Sequence, residues 1–399
     1  MGNKLIANRI NELTASVTMK IAGKALTMKA SGVDIIDFSV GEPDFPTPSR
    51  IKKAALKAID ENFTKYTFNS GMLELRDAIS KKFLRDNNLE YDTDEIIVSN
   101  GAKQALFNVV MSVVNPGDEV IIPGPYYVSY PEMVKLAGGK PVIVNTKEKN
   151  GFKLTPEELK DAITSSTKAL IVCTPSNPTG LVYTEDEIKA LVSVIEKEKI
   201  FVISDEVYEK LIYDNLTFAS FADAGKNIKD RIAVINGVSK AYAMTGWRIG
   251  YAAANKEIIK SASKIQSHNT SGASSISQYA SLEALTGPQN EVIIMRDEFE
   301  KRRDYIYQKA ITLFTDCVKP QGAFYIFPNI SSFIGKKLNN RQILTSADLA
   351  ELLLDEAKVA LVPGEAFGSD KHIRISYSTS MENIVEGMNR IQSALEKIK

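Results

Sequence analysis

The sequence predicts an α/β fold: a mostly parallel seven-stranded sheet covered by helices, with a smaller α+β domain formed by both termini. Two observations carry that prediction. Short apolar, β-branched runs alternate with longer amphipathic stretches, the rhythm of strand–helix–strand units. The runs are apolar at almost every position, as strands buried on both faces of a sheet must be.

Taken in order, the chain up to about Asp44 offers a possible helix and one short strand, 35–39. Seven strand candidates follow at 95–98, 119–122, 141–144, 169–173, 201–204, 232–236 and 249–253. Between them, 102–113, 156–163, 184–197 and 257–267 are amphipathic and read as helices. The run TEDE at 184–187 sets a hydroxyl cap before acids at the positive end of a helix dipole. From about Asp297 a long charged helix leads into 322–327, 347–357, 359–363 and 374–376, and a last helix starts at Met381. No element is assigned to 332–341. A large domain is therefore expected over 46–296, and a small one from 1–45 together with 297–399.

Composition narrows the function classes. The 49 basic and 49 acidic side chains cancel, so no basic face for nucleic acid is implied. Apolar residues make up 44% of the 399, enough for a large core without staples. Cys173 and Cys317 form no disulfide framework, and two histidines, His268 and His372, are too few for a zinc site. No metal is expected. No apolar run approaches the roughly 18–20 residues of a membrane span. The N-terminus lacks a secretory core, and behind Gly2 stands Ile6 where a myristoylation signal wants Ser or Thr. The expectation is a cytoplasmic protein that meets neither membrane nor nucleic acid.

Chemistry concentrates where strands end. In SKAYAMTGWRIGY (239–251), Lys240 lies just beyond a buried strand, where open α/β sheets place their ligands. A partly desolvated lysine there is a usable amine nucleophile, although most lysines are simply solvated. Arg248 offers a planar fork for a phosphate. In FVISDEVYEKL, Asp205 ends another strand and Tyr208 follows in the turn. A carboxylate at that place either pairs with a protonated ring nitrogen or caps the next helix. Asn177 stands in the turn after the strand 169–173, as an oxyanion donor or a plain turn residue. The spacings, 28 residues from Asn177 to Asp205 and 35 from there to Lys240, each fit one strand–helix–strand unit. All three groups should thus emerge on one sheet edge. In IIVSNGAKQALFNVV the Ser-Asn-Gly turn opens a helix near Ala102, whose free N–H groups attract an anion.

Together, GEPDFPTP (41–48), YTFNSGMLELR (66–76), NGAKQAL, NPTG, DEVY, SKAYAMTGWRIGY and RIS at Arg374 resemble the class I aminotransferases of fold type I, in particular the bacterial aspartate aminotransferase subgroup. The resemblance spans nearly the whole chain. It implies pyridoxal 5'-phosphate as cofactor, with Lys240 as Schiff-base lysine and proton shuttle. It implies that Asp205 pairs with the pyridinium nitrogen and that Tyr208 and Asn177 bond the phenolic oxygen. Arg248, Ser239, Lys103 and the backbone of Gly101 and Ala102 would surround the phosphate. Tyr66 would reach the neighbouring subunit's cofactor, which implies a homodimer with shared sites. Tyr127 would stack on the ring, where many relatives carry Trp. For the substrate, Arg374 would clamp the α-carboxylate, with Gly41, Tyr127 and Asn177 beside it. Lys103 is either a distal-carboxylate ligand or a solvated helix lysine. The activity implied is amino transfer from an L-amino acid, aspartate or glutamate first, to 2-oxoglutarate or oxaloacetate by a ping-pong route. Prephenate, aromatic amino acids, alanine and a carbon–sulfur lyase reaction remain open alternatives. Non-catalytic regulators on this scaffold usually carry a DNA-binding extension, and only about 40 residues precede GEPDF, too few for a typical domain.

Overall fold

The computed structural model describes residues 5–14 and 17–399. Gly2 and the first few residues of the expected small domain lie outside them. Among the described residues, no helix is long and apolar enough to cross a membrane.

Helix Val17–Ala30 precedes a short strand, β1 (Ile36–Asp37). The seven expected strands of the large sheet follow: β2 (Ile96–Ser99), β3 (Glu119–Gly124), β4 (Lys140–Asn145), β5 (Thr167–Cys173), β6 (Phe201–Asp205), β7 (Ile232–Gly237) and β8 (Gly250–Ala253). Their order is β2-β8-β7-β6-β5-β3-β4. β8 runs antiparallel to both its neighbours, and the other pairs are parallel. Two reversals restore direction, so β2 points the same way as β3 to β7. The carboxyl ends of all six share one edge.

Each strand splits its side chains between two apolar clusters. Leu170, Val172, Val202, Ile232 and Val234 face one; Ala169, Ile171, Phe201, Ile203, Ala233 and Ile235 face the other. This is the period-two alternation of a strand with both sides covered. Burying each such Val, Ile or Leu side chain is worth about 1.5–3 kcal/mol. The covering helices begin where their caps dictate. Thr184 accepts from the Glu187 N–H while the Glu187 carboxylate accepts from Thr184 N–H, and Thr155 and Glu158 repeat the motif ahead of Pro156–Ala162. Along β6, Asp205 lies on one rung with Cys173 of β5 and Ile235 of β7.

The carboxy-terminal part contains helix Asn290–Leu313, then β9 (Tyr325–Ile326), β10 (Lys337–Leu338), β11 (Arg341–Gln342), β12 (Val359–Ala360), β13 (Val362–Pro363) and β14 (Ile373–Ser376), with helices Ser346–Ala357 and Met381–Leu395. β1 pairs in parallel with β12, which ties the amino-terminal segment to this part. β13, β14 and β9 form a small antiparallel sheet. Three details depart from the sequence expectation. The long helix starts at Asn290 rather than 297, directly after the Gly287–Pro288 break. The strand expected at 359–363 is two short ones separated by Leu361. The segment 332–341 feeds the hairpin β10–β11, whose turn residues Asn339 and Asn340 take φ of 47° and 63°, a conformation asparagine tolerates. A third cluster joins Phe38, Phe299, Phe324, Ile375 and Ile391 to Tyr208, Leu211 and Tyr213 from the turn after β6.

Candidate active site

The site lies at the shared carboxyl edge of the sheet, against the small antiparallel sheet. Lys240 follows the end of β7, and its Nζ donates to the Gly41 carbonyl at 2.6 Å. Burial pushes the Lys240 amine down from 10.5 to about 8; Glu42 opposes that shift, and Arg374 and Arg248 add to it. About a tenth of such a lysine is neutral at pH 7.

Asp205 is the last residue of β6. Its Oδ2 accepts from the Tyr130 hydroxyl at 2.7 Å and its Oδ1 from the Val207 N–H at 3.4 Å. Burial raises its pKa, and the Tyr130 and Val207 hydrogen bonds work the other way. The hydroxyl of Tyr208 lies 2.8 Å from that of Tyr325. The turn bearing Tyr208 is clamped by the end of helix Leu73–Asn87. Buried Glu209 pairs with buried Lys82, and Asn87 Nδ2 donates to Glu209 Oε2 at 2.8 Å. Next to it, Lys210 pairs with Asp86 at 2.8 Å.

At the β2 end, Gly101 (φ 91°) opens helix Ala102–Val113, which has no side-chain cap and no acid in its first turn. Uncapped N–H groups on a helix dipole favour an anion. Arg248 lies beside them, with Nη1 donating to Thr245 O at 3.0 Å and Nη2 to Asn100 O at 3.3 Å. A Cβ on Gly101 would stand 2.4 Å from Arg248 Nη2, and one on Gly250 would stand 2.0 Å from the Ala102 nitrogen. The helix start, β8 and the guanidinium close up only because both positions lack a side chain.

Across the cavity, Arg374 projects from β14. Its Nη2 donates to Ser39 O at 2.6 Å and its Nη1 to Asn177 Oδ1 at 3.1 Å, while Nε is buried without a partner among the described residues. The guanidinium stands over the Tyr325 ring at 4.6 Å and the Phe367 ring at 5.0 Å. Burial lowers its pKa, yet an arginine stays charged.

One cavity of about 430 Å³ gathers Gly41, Ala102, Lys103, Tyr127, Asn177, Asp205, Tyr208, Ser239, Lys240, Arg248 and Arg374. Gly101 sits behind it against Arg248. A cleft of about 1100 Å³ adjoins, sharing Lys103, Tyr127, Arg248 and Arg374. Lys103 is exposed at the mouth, its Nζ 5.4 Å from the Tyr127 ring centre. Tyr66 is not brought to this cavity; it is 98% exposed on the surface. Among the cavity residues that the sequence did not single out are two tyrosines. Tyr130 sits one helical turn after Tyr127 in GPYYVSY. Tyr325 lies in GAFYIFP, where Phe324, Tyr325 and Ile326 all join the core cluster and Tyr325 also lines the cavity.

The donor set fits one kind of ligand. The uncapped helix start with Arg248 suits a phosphate. Asp205 is a buried carboxylate with no ion-pair partner among the described residues, which suits a protonated ring nitrogen. The partly neutral Lys240 amine suits a carbonyl. Pyridoxal phosphate carries all three groups.

The chain matches the family model for aminotransferase class I and II over residues 33–391. An aspartate aminotransferase of Geobacillus stearothermophilus is 48% identical over 98% of this chain and 99% of its own length. A probable aspartate/prephenate aminotransferase of Rickettsia felis is 47% identical over 99% of this chain and 97% of its own. Among solved structures, the aspartate aminotransferase of Rhizobium meliloti superposes with a TM-score of 0.95 at 42% identity, covering 99% of both chains.

Proposed function

The chain belongs to the class I and II aminotransferases, and from that membership we propose that it moves the amino group of L-aspartate or L-glutamate to 2-oxoglutarate or oxaloacetate, with pyridoxal phosphate as cofactor. The observation that carries this reading is the placement of Asp205 at the end of β6 and Lys240 just beyond the end of neighbouring β7, both lining one cavity with the Arg374 fork.

The helix start at Gly101 and Ala102, Ser239 and Arg248 hold the phosphate. Asp205, kept in place by Tyr130, holds the ring nitrogen protonated. Tyr208 and Asn177 bond the ring oxygen, and Tyr127 covers the ring. Bound there, the cofactor supplies a carbonyl for amines and a conjugated cationic ring that accepts the electron pair released at Cα. Neutral Lys240 Nζ takes the proton from the substrate Cα and gives one back. Arg374 clamps the α-carboxylate, with the Gly41 backbone beside it, and fixes which Cα bond faces Lys240. Lys103 at the mouth takes the distal carboxylate. A second acceptor class, cyclic or aromatic oxo acids, is supported by the apolar wall of the adjoining cleft at Phe107, Met133, Leu136 and Phe367. Exposed Tyr66, with Phe68 73% exposed beside it, suits a homodimer in which Tyr66 reaches the second copy's phosphate.

The test is a spectrophotometric titration of the cofactor-loaded protein. L-Aspartate should convert the visible band to a near-ultraviolet one, and 2-oxoglutarate should restore it. A band that ignores both aspartate and glutamate, or release of ammonia and pyruvate from a β-thio amino acid such as L-cystathionine in place of amino transfer, would overturn the assignment.

A further inference from the structure

Tyr325 has no place in the roles above, yet it touches three of the groups that do. Its hydroxyl lies 2.8 Å from the Tyr208 hydroxyl. Its ring lies 4.6 Å from the Arg374 guanidinium, and the Phe367 ring lies 5.0 Å from the same group. Its hydroxyl also presses on Gly41: a Cβ there would stand 2.4 Å from it, and the Gly41 carbonyl holds Lys240 Nζ. Strand pairing supports this placement, since β9 lies beside β14, which carries Arg374. At 1% exposure, Tyr325 has no bulk water to satisfy it.

Two hydroxyls at this distance share one proton, and the other proton must point elsewhere. We propose that Tyr325 is a positioning residue whose hydroxyl donates to Tyr208, turning the Tyr208 proton into the cavity, while its ring holds the Arg374 fork in plane. The direction of donation follows from the two cations: Arg374 stands 4.6 Å over the Tyr325 ring, closer than Lys240 Nζ over the Tyr208 ring at 5.8 Å, which makes Tyr325 the more acidic phenol of the pair. Burial raises both phenols, Tyr325 to about 12 and Tyr208 well above its ordinary value, so both keep their protons at neutral pH. Without Tyr325, nothing obliges Tyr208 to donate inward.

This inference rests on the reading that Tyr208 bonds the cofactor's ring oxygen. Its test compares loaded wild-type protein with Tyr325→Phe, Tyr325→Leu and Tyr208→Phe. A donor on the ring oxygen stabilises the negative charge that develops there when the visible chromophore loses its proton. Losing the donor therefore raises the pH midpoint of the visible band. Tyr325→Phe removes one oxygen and keeps the ring, so it should load cofactor normally. It should raise the midpoint by about half a pH unit and lower kcat by about threefold to tenfold, with KM for aspartate unchanged. Tyr325→Leu should in addition raise KM for aspartate and 2-oxoglutarate alike, by about tenfold, through the loosened Arg374. An unchanged midpoint and kcat in Tyr325→Phe, alongside a shifted midpoint in Tyr208→Phe, would overturn the inference and leave the function standing. An unchanged midpoint in Tyr208→Phe as well would overturn the assignment of the ring oxygen itself, and the inference with it.

Discussion

Lys240 lends itself to a quantitative prediction in the protein without cofactor. Its amine is moved from 10.5 to about 8, with burial the leading cause. At pH 7 that leaves about a tenth of the amine neutral, against about one part in 3000 for an ordinary lysine, a gain in nucleophile of about 300-fold. Only the neutral amine reacts with an uncharged arylating reagent such as fluorodinitrobenzene. Labelling of Lys240, followed by peptide mass spectrometry from pH 6 to 11, should rise through a midpoint near 8 while exposed lysines rise near their ordinary value. The sign can be tested with Glu42→Gln. Glu42 stabilises the charged amine, so its neutralisation should move the Lys240 midpoint lower still and increase labelling at pH 7. A Lys240 midpoint at 10 or above, or an upward shift in Glu42→Gln, would refute the reasoning that the edge of the sheet desolvates this amine.

Three further outcomes follow from contacts already described. Tyr130→Phe removes a donor that holds down the Asp205 pKa, so Asp205 should hold a ring proton less firmly; kcat for aspartate, measured by oxaloacetate formation, should fall about tenfold with the fold intact. Gly101→Ala adds a Cβ at φ 91° against Arg248; affinity for pyridoxal phosphate, read by fluorescence quenching, should fall about 100-fold, while binding of phosphate-free pyridoxal should change little, since the strain falls at the phosphate end. Lys82→Met leaves Glu209 buried without its partner; urea unfolding should show a loss of about 3–5 kcal/mol, and pairing it with Glu209→Gln should recover most of it.

The fold was readable because burial on both faces leaves a continuous apolar signature. The seven runs correspond to β2–β8 with small shifts at their ends. Strand direction has no such signature: Gly250–Ala253 is equally apolar whichever way it runs, and only its neighbours show it to be reversed. Lys240, Asp205 and Asn177 could be singled out because each directly follows a legible strand at unit spacing. Tyr130 and Tyr325 could not. Their polar contacts span 75 and 117 positions along the chain, and an aromatic inside an apolar run reads as core unless its hydroxyl's partner is known. The hairpin β10–β11 was missed for a different reason, since two-residue strands carry too few positions to show a period.

The rung on which Cys173, Asp205 and Ile235 lie side by side acts as a ruler. Strands in one sheet stand about 4.8 Å apart, and that interval cannot be stretched or compressed by substituting side chains. The lateral offset between the Asp205 carboxylate and the segment that delivers Lys240 is therefore quantised by the sheet itself. Lys103 and Tyr127, carried on the start of a helix and on a loop, answer to no such interval. Variation in what the enzyme accepts can accumulate at those two positions, while the spacing between acid and amine changes only if a whole strand is gained or lost.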